Sequence, residues 1–310
     1  MTNGNTNLIS AGAGIASRNK RYVVWFYLLN LVLAHFGAGA FSMSVHGMLD
    51  HSLIAGKLLH GFDAAVFLEM LIRPEFGPAA SSAMPAMAFA ILFFLLTLLF
   101  MPGVLLGYAS DHRLPREEFY RACGHNVWRF VRLLLFFIII AGPIAAILFG
   151  LQAALTKAAD QSTNEMLPFY TQLACLTVIF LIMSAVRAWF DLAEADIVVG
   201  DHAAVRKSVA YGFRNARPNL PQLVGAYVVI AIIALAVLVA GIALWEMIVP
   251  AASVFGAFLI SELILFLLLA ARFWQRAVAV AFHLQQLAAT PVLEMPLATA
   301  LPASQPGTGA

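Results

Sequence analysis

Charge is what this sequence has least of. Only 11% of its 310 residues are Asp, Glu, Lys or Arg, while 62% are hydrophobic; soluble domains carry about 25% charged residues. A water-facing surface cannot be covered at that density, so a soluble globular protein is excluded and lipid becomes the main solvent. Cysteine is nearly as scarce. Cys123 and Cys175 form no C-x-x-C pair and no disulfide framework, and both are expected to stay reduced and inert. Catalytic signatures are missing too: no H-E-x-x-H, no Walker loop, no G-x-S-x-G, and no G-x-G-x-x-G after a strand. Within the apolar runs, polar residues are mostly single, as at Asn30, His35 and Ser184. The expectation is therefore a protein that is not an enzyme and uses no cofactor. The net charge of +2 does not point to nucleic acid, because the basic residues are placed by topology.

What the chain does have is long apolar runs. Six are long enough to span a bilayer, at about 22–44, 84–108, 130–151, 169–199, 222–245 and 251–271. The expected fold is all-α, a polytopic transmembrane bundle of about six spans with interfacial amphipathic helices. Residues 1–17 are polar and rich in Gly, Asn and Ser, so 1–21 reads as a disordered cytoplasmic tail. The first run also suits a signal peptide ending near Ala38-Gly39-Ala40, but apolar sequence continues past Ala40, which favours an uncleaved anchor. Between the first two spans, Asp50 can cap a helix over His51–His60, and Asp63 a second over Ala64–Arg73. Both are too short to span. Gly142-Pro143 in the third span predicts a kink. Helix can extend beyond the sixth span to Gln286, with 287–310 a second disordered cytoplasmic tail.

Charge placement sets the orientation. With the N-terminus inside, the outer segments hold only Lys57, Arg73 and Lys157 of the eighteen Lys and Arg. Such a bias across short loops predicts both termini on the cytoplasmic side of an inner membrane.

The inner charges gather in two elbows. In the first, Asp111-His112 and Arg116 precede an amphipathic piece; in the second, 90 residues on, Asp201-His202 and Arg206 do the same. Duplication of a helical hairpin would produce this, as would the shared needs of any two inner elbows. In the second elbow Gly200 can end one helix and Asp201 cap the next. Val205, Val209, Gly212, Phe213 and Ala216 share one face of that helix, with Lys207, Tyr211 and Arg214 on another. This predicts a basic helix on the inner leaflet, with Arg206, Lys207, Arg214 and Arg217 as contacts for anionic lipid.

Three groups are candidate sites. Glu262 lies near the middle of the sixth span, where a carboxylate costs roughly 2.5–3.5 kcal/mol on insertion scales. It is either an ion or proton site or a hydrogen-bonded group that helps helices pack. Arg187, Asp191 and Glu194 recur at i, i+4 and i+7 and share a face. They would line an inner vestibule, bind a partner, or form a local ion-pair ladder at the membrane exit. His46, His51 and His60, with Asp50 and Asp63, lack metal-ligand spacing, so no metal is expected.

Three stretches carry a resemblance: DHSLIAGKLLHGFDAAVFLEML, REEFYRACGHNVWRFVRLLL and FDLAEADIVVGDHAAVRKSVAYGFRNARPN. With them the chain resembles uncharacterised bacterial six-span membrane proteins. Its second elbow is similar to the membrane domain associated with glycerophosphodiester phosphodiesterases. The resemblance implies an inner-membrane location, and no catalytic domain of that kind fits in this chain. The first functional expectation is a structural or accessory membrane subunit, with lipids and other membrane subunits as partners. A small transporter or channel using Glu262 is the alternative, and a lipid-interacting protein the third.

Overall fold

The computed structural model describes residues 7–49, 77–110, 112–162, 164, 166–201, 204–250 and 253–289. In chain order the helices are α1 (Leu8–Arg18), α2 (Lys20–Leu49), α3 (Gly77–Ala109) and α4 (Arg116–Asp160). They continue with α5 (Leu167–Val199), α6 (Val205–Ala216), α7 (Leu220–Ile248) and α8 (Val254–Ala289). No strand occurs among the described residues. The architecture is an all-α bundle, and α2, α3, α4, α5, α7 and α8 are each long and apolar enough to cross a membrane. Of the histidine cluster, His46 falls within α2. The two short helices expected over His51–His60 and Ala64–Arg73 lie outside the described residues, as do Asp50, His51, His60 and Asp63 of that cluster. So does the tail beyond Ala289.

Packing is uneven along the spans. The buried residues collect at the arginine-rich end: Met101–Tyr108 of α3, Ala122–Leu133 of α4, Val186–Val198 of α5, Leu223–Ile230 of α7 and Phe273–His283 of α8 contribute most of them. The opposite halves expose large apolar side chains such as Ile147, Phe149, Leu173, Leu235 and Phe258, as lipid-facing surface does. At 1.5 Å per residue the 45 residues of α4 reach about 68 Å, more than twice a hydrocarbon core of ~30 Å. Its N-terminal turns, with Arg116, Arg121 and Arg129, therefore extend the span beyond the apolar layer. The amphipathic piece of the first elbow is continuous with its span, and the helix also runs unbroken through Pro143.

Residues 7–18 depart from the expected tail. Asn7 caps α1 by accepting from the Ile9 N–H at 3.2 Å, and Leu8, Gly12 and Ile15 are buried at i, i+4 and i+7. The Trp274 indole N–H donates to the Ile9 carbonyl at 3.0 Å, which fixes α1 against α8. Burial of this apolar face overrides the weak helix propensity of a Gly-rich stretch.

The second elbow corrects two further expectations. Helix α5 does end at Gly200, but Ala204 rather than Asp201 occupies the N-cap of α6, with no side-chain cap bond. Asp201 adopts φ 46° and turns its carboxylate to α4. The apolar face of α6 docks on protein rather than in the leaflet: Val205, Ser208, Val209, Gly212 and Ala216 are buried. Trp189 of α5 donates to the Val209 carbonyl at 2.7 Å. A Cβ on Gly212 would sit 2.8 Å from the Trp189 carbonyl oxygen, so the close approach requires glycine. Phe213, expected on the buried face, is half exposed and packs its ring 5.0 Å from Trp189.

The docking of α1 is tested by two neighbouring glycines. A Cβ on Gly12 collides with the Val278 side chain and lies 3.0 Å from its backbone N and Cα, whereas one on Gly14 meets nothing within 4 Å. Gly14→Ala should leave the thermal midpoint in detergent unchanged or raise stability by up to ~1 kcal/mol. Gly12→Ala should lower it by about 1–2 kcal/mol despite the same gain in propensity. Equal behaviour of the two would contradict the docked position of α1.

A charged cavity as the candidate functional site

A cavity of about 220 Å³ opens at the level where the apolar runs of α5 and α8 give way to charge. Its walls are apolar on the α3 and α4 sides, with Phe94, Leu98, Phe130 and Phe137. On the α5 and α8 sides it meets Arg187, Asp191, Glu194, Arg272 and Arg276. Residues Arg187, Asp191 and Glu194 thus do share one face, as their spacing implied, and that face lines the cavity.

Their pairing differs from the ladder expected along α5. Asp191 is buried, 3% exposed, and its partners come from other helices. Arg272 of α8 approaches it with both terminal nitrogens, Nη2 to Oδ1 at 3.2 Å and Nη1 to Oδ2 at 3.3 Å. Tyr227 of α7 donates its hydroxyl to Oδ2 at 2.7 Å. Gln275 braces the arrangement, accepting from Arg272 Nη1 at 3.1 Å and donating to the Tyr227 carbonyl at 3.4 Å. Glu194 faces Arg276 of α8, with 3.7 Å from Nε to Oε2. The pairs run across helices because the i, i+3 step from Asp191 to Glu194 on α5 presents both carboxylates to α8, whose own two arginines are spaced by four. Arg187 differs from the other two arginines: it is exposed and, among the described residues, takes part in no ion pair or hydrogen bond.

The Arg272–Asp191–Tyr227 group was not anticipated. In the sequence, Arg272 and Arg276 are two of the inner-side basic residues that follow the sixth span. Their i, i+4 spacing opposite Asp191 and Glu194 was the available signal. Tyr227 carried none beyond its place near the start of an apolar run.

Glu262 lies elsewhere on α8. It is half-buried and accepts a hydrogen bond from the Tyr27 hydroxyl of α2 at 3.0 Å, and it does not line the cavity. Neighbouring Ser261 turns back to the Phe258 carbonyl at 2.8 Å. The carboxyl joins two spans by a hydrogen bond, an arrangement worth about 0.6–2 kcal/mol between membrane helices. Arg206, Lys207 and Arg214 of α6 and its C-cap Arg217 are exposed on the surface of the second elbow. Cys123 is buried, with its thiol 3.8 Å from the Phe100 carbonyl, and Cys175 is half-buried; neither is disulfide-bonded. No group of three or more metal-ligating side chains occurs among the described residues.

The two elbows are clasped together outside the spans. Arg129 Nη1 donates to Asp201 Oδ1 at 2.7 Å and to Asn126 Oδ1 at 3.0 Å. His125 Nε2 stands 3.5 Å from the same Asp201 oxygen.

The fold and this site define a multi-pass helical membrane protein with a charge-lined cavity at the basic end of its bundle. Comparison with protein-family models, with curated proteins and with solved structures finds no match to this chain.

The clasp predicts a pH dependence. The hydrogen bond from Arg129, together with its charge, holds the Asp201 carboxyl below its ordinary range. A lowered folded-state value means the contribution is complete above the unfolded-state pKa of about 3.9 and disappears as pH falls through the folded value. The thermal midpoints of the wild type and Asp201→Asn should therefore differ at pH 6–7 and converge in acid. A gap that persists unchanged at pH 2–3 would assign the effect of Asp201 to its backbone conformation instead.

Proposed function

We propose that this protein is a non-enzymatic, lipid-interacting accessory protein of a bacterial inner membrane, with both termini cytoplasmic. The observation that carries the reading is the cavity's two-part lining: mostly aromatic and aliphatic on α3 and α4, with every charged side chain on α5 and α8. Such a site suits a molecule with an apolar body and a polar head, which is the chemistry of a membrane lipid. The cavity is smaller than the about 300–1,000 Å³ of ordinary ligand pockets, so it accommodates the head and upper part of a lipid whose chains remain in the bilayer. The basic outer surface of α6 adds general attraction to an anionic leaflet, about 1 kcal/mol per Lys or Arg. The strong bias of Lys and Arg to one end of the bundle supports the orientation. A transporter or channel coupled through Glu262 is less well supported, because that carboxyl is engaged by Tyr27 away from the cavity. The resemblance of the elbows to bacterial inner-membrane families agrees with the location.

Native mass spectrometry of the intact protein, released from detergent after extensive washing, tests the reading. The expected spectrum contains a population carrying one retained lipid per chain. A protein that is fully delipidated yet keeps its thermal midpoint would overturn it.

A further inference from the structure

We infer that Arg187 is the headgroup contact of that site and that the occupant is a monoanionic phospholipid. The inference rests on the lipid-interacting reading above and deepens it. Three guanidinium groups line the cavity, Arg187, Arg272 and Arg276, against two carboxylates, Asp191 and Glu194. Asp191 is engaged by Arg272 from both terminal nitrogens and by the Tyr227 hydroxyl. Glu194 faces Arg276 across 3.7 Å. With both carboxylates ionised, one positive charge is left over, and it is the one on Arg187, which has no ion-pair or hydrogen-bond partner among the described residues and is exposed.

An arginine within a membrane helix is costly unless paired or led out to the interface. None of the described residues pairs Arg187, which leaves its guanidinium open to a ligand at the mouth of the cavity. A guanidinium presents a planar fork that matches two oxygens of a phosphate, a stronger and more directional contact than a point charge makes. Phe94 of α3, the other exposed member of the lining, marks the same mouth, while Leu98 and Phe137 offer apolar wall beside it. A soluble anion would leave that wall without a partner; a phospholipid places its phosphodiester on Arg187 and its acyl chains along the aromatic side. A single surplus cation matches a headgroup with one net negative charge.

The test uses the full-length protein equilibrated in mixed micelles of phosphatidylglycerol and phosphatidylcholine, with retained lipid counted by native mass spectrometry. Wild type should retain phosphatidylglycerol with a preference of about fivefold to tenfold, the scale of one arginine at an anionic surface. Arg187→Gln should bring the ratio close to one while still retaining lipid, Arg187→Lys should keep part of it, and Arg214→Gln on α6 should leave it unchanged. Retention of both lipids with an unaltered preference in Arg187→Gln would overturn the assignment of Arg187 and leave the lipid reading standing. Absence of any retained lipid in the wild type would overturn both. In a parallel arm, displacement of phosphatidylglycerol from wild type by millimolar inorganic phosphate would identify the occupant as a soluble anion and overturn the lipid assignment. If Arg187→Gln fails to fold, the wild-type preference and its partial retention in Arg187→Lys decide the matter.

Discussion

The arrangement depends on a buried carboxylate. Asp191 is buried in the lining of the cavity, followed on α5 by Leu192 and Ala193, both fully buried. An ionised carboxylate there is tolerable only if its hydrogen-bonding capacity is met, and an unpaired one costs several kcal/mol. Arg272 and Tyr227 meet it from α8 and α7, so one side chain sets the relative positions of three helices. The same constraint shapes the cavity: with Arg272 committed to Asp191 and Arg276 facing Glu194, the remaining arginine on α5 turns to the open side.

Around this centre, the basic end behaves as the cohesive part of the molecule and the other end as its lipid-facing extension. Helices that project beyond the apolar layer bury side chains against one another, and α1 and α6 add to that packing from outside the spans. The two elbows are joined there through Arg129 and Asp201. In the opposite halves, lipid replaces protein as the neighbour of most apolar side chains, and the demand for close packing is correspondingly weaker.

The six spans were legible in the sequence because a run of twenty apolar residues has few alternatives to a membrane helix. Their partners were not. The face shared by Arg187, Asp191 and Glu194 could be read from helical spacing, but spacing says nothing of which helix lies opposite, so Arg272, Arg276 and Tyr227 could not be assigned. Glu262 drew attention because a lone carboxylate among apolar residues is expensive. Tyr27, 235 positions away, satisfies it in a way no local pattern discloses. For α1 the signals were present, an Asn cap followed by Leu8, Gly12 and Ile15 at helical spacing, but the polar, Gly-rich composition outweighed them. In the second elbow, an Asp after a helix-ending Gly has the form of an N-cap; the positive φ at Asp201 and the reach of Arg129 gave it another role.

The claim that a cross-helix ion pair organises the bundle is tested most directly by a double-mutant cycle on Asp191→Asn and Arg272→Gln, with unfolding followed in detergent micelles. Each single change should be strongly destabilising, because it leaves the other group uncompensated, and the double mutant should lose less than the sum. The expected coupling is about 0.5–3 kcal/mol, the range for contacting residues. Additive losses, with no coupling between the two positions, would contradict the account.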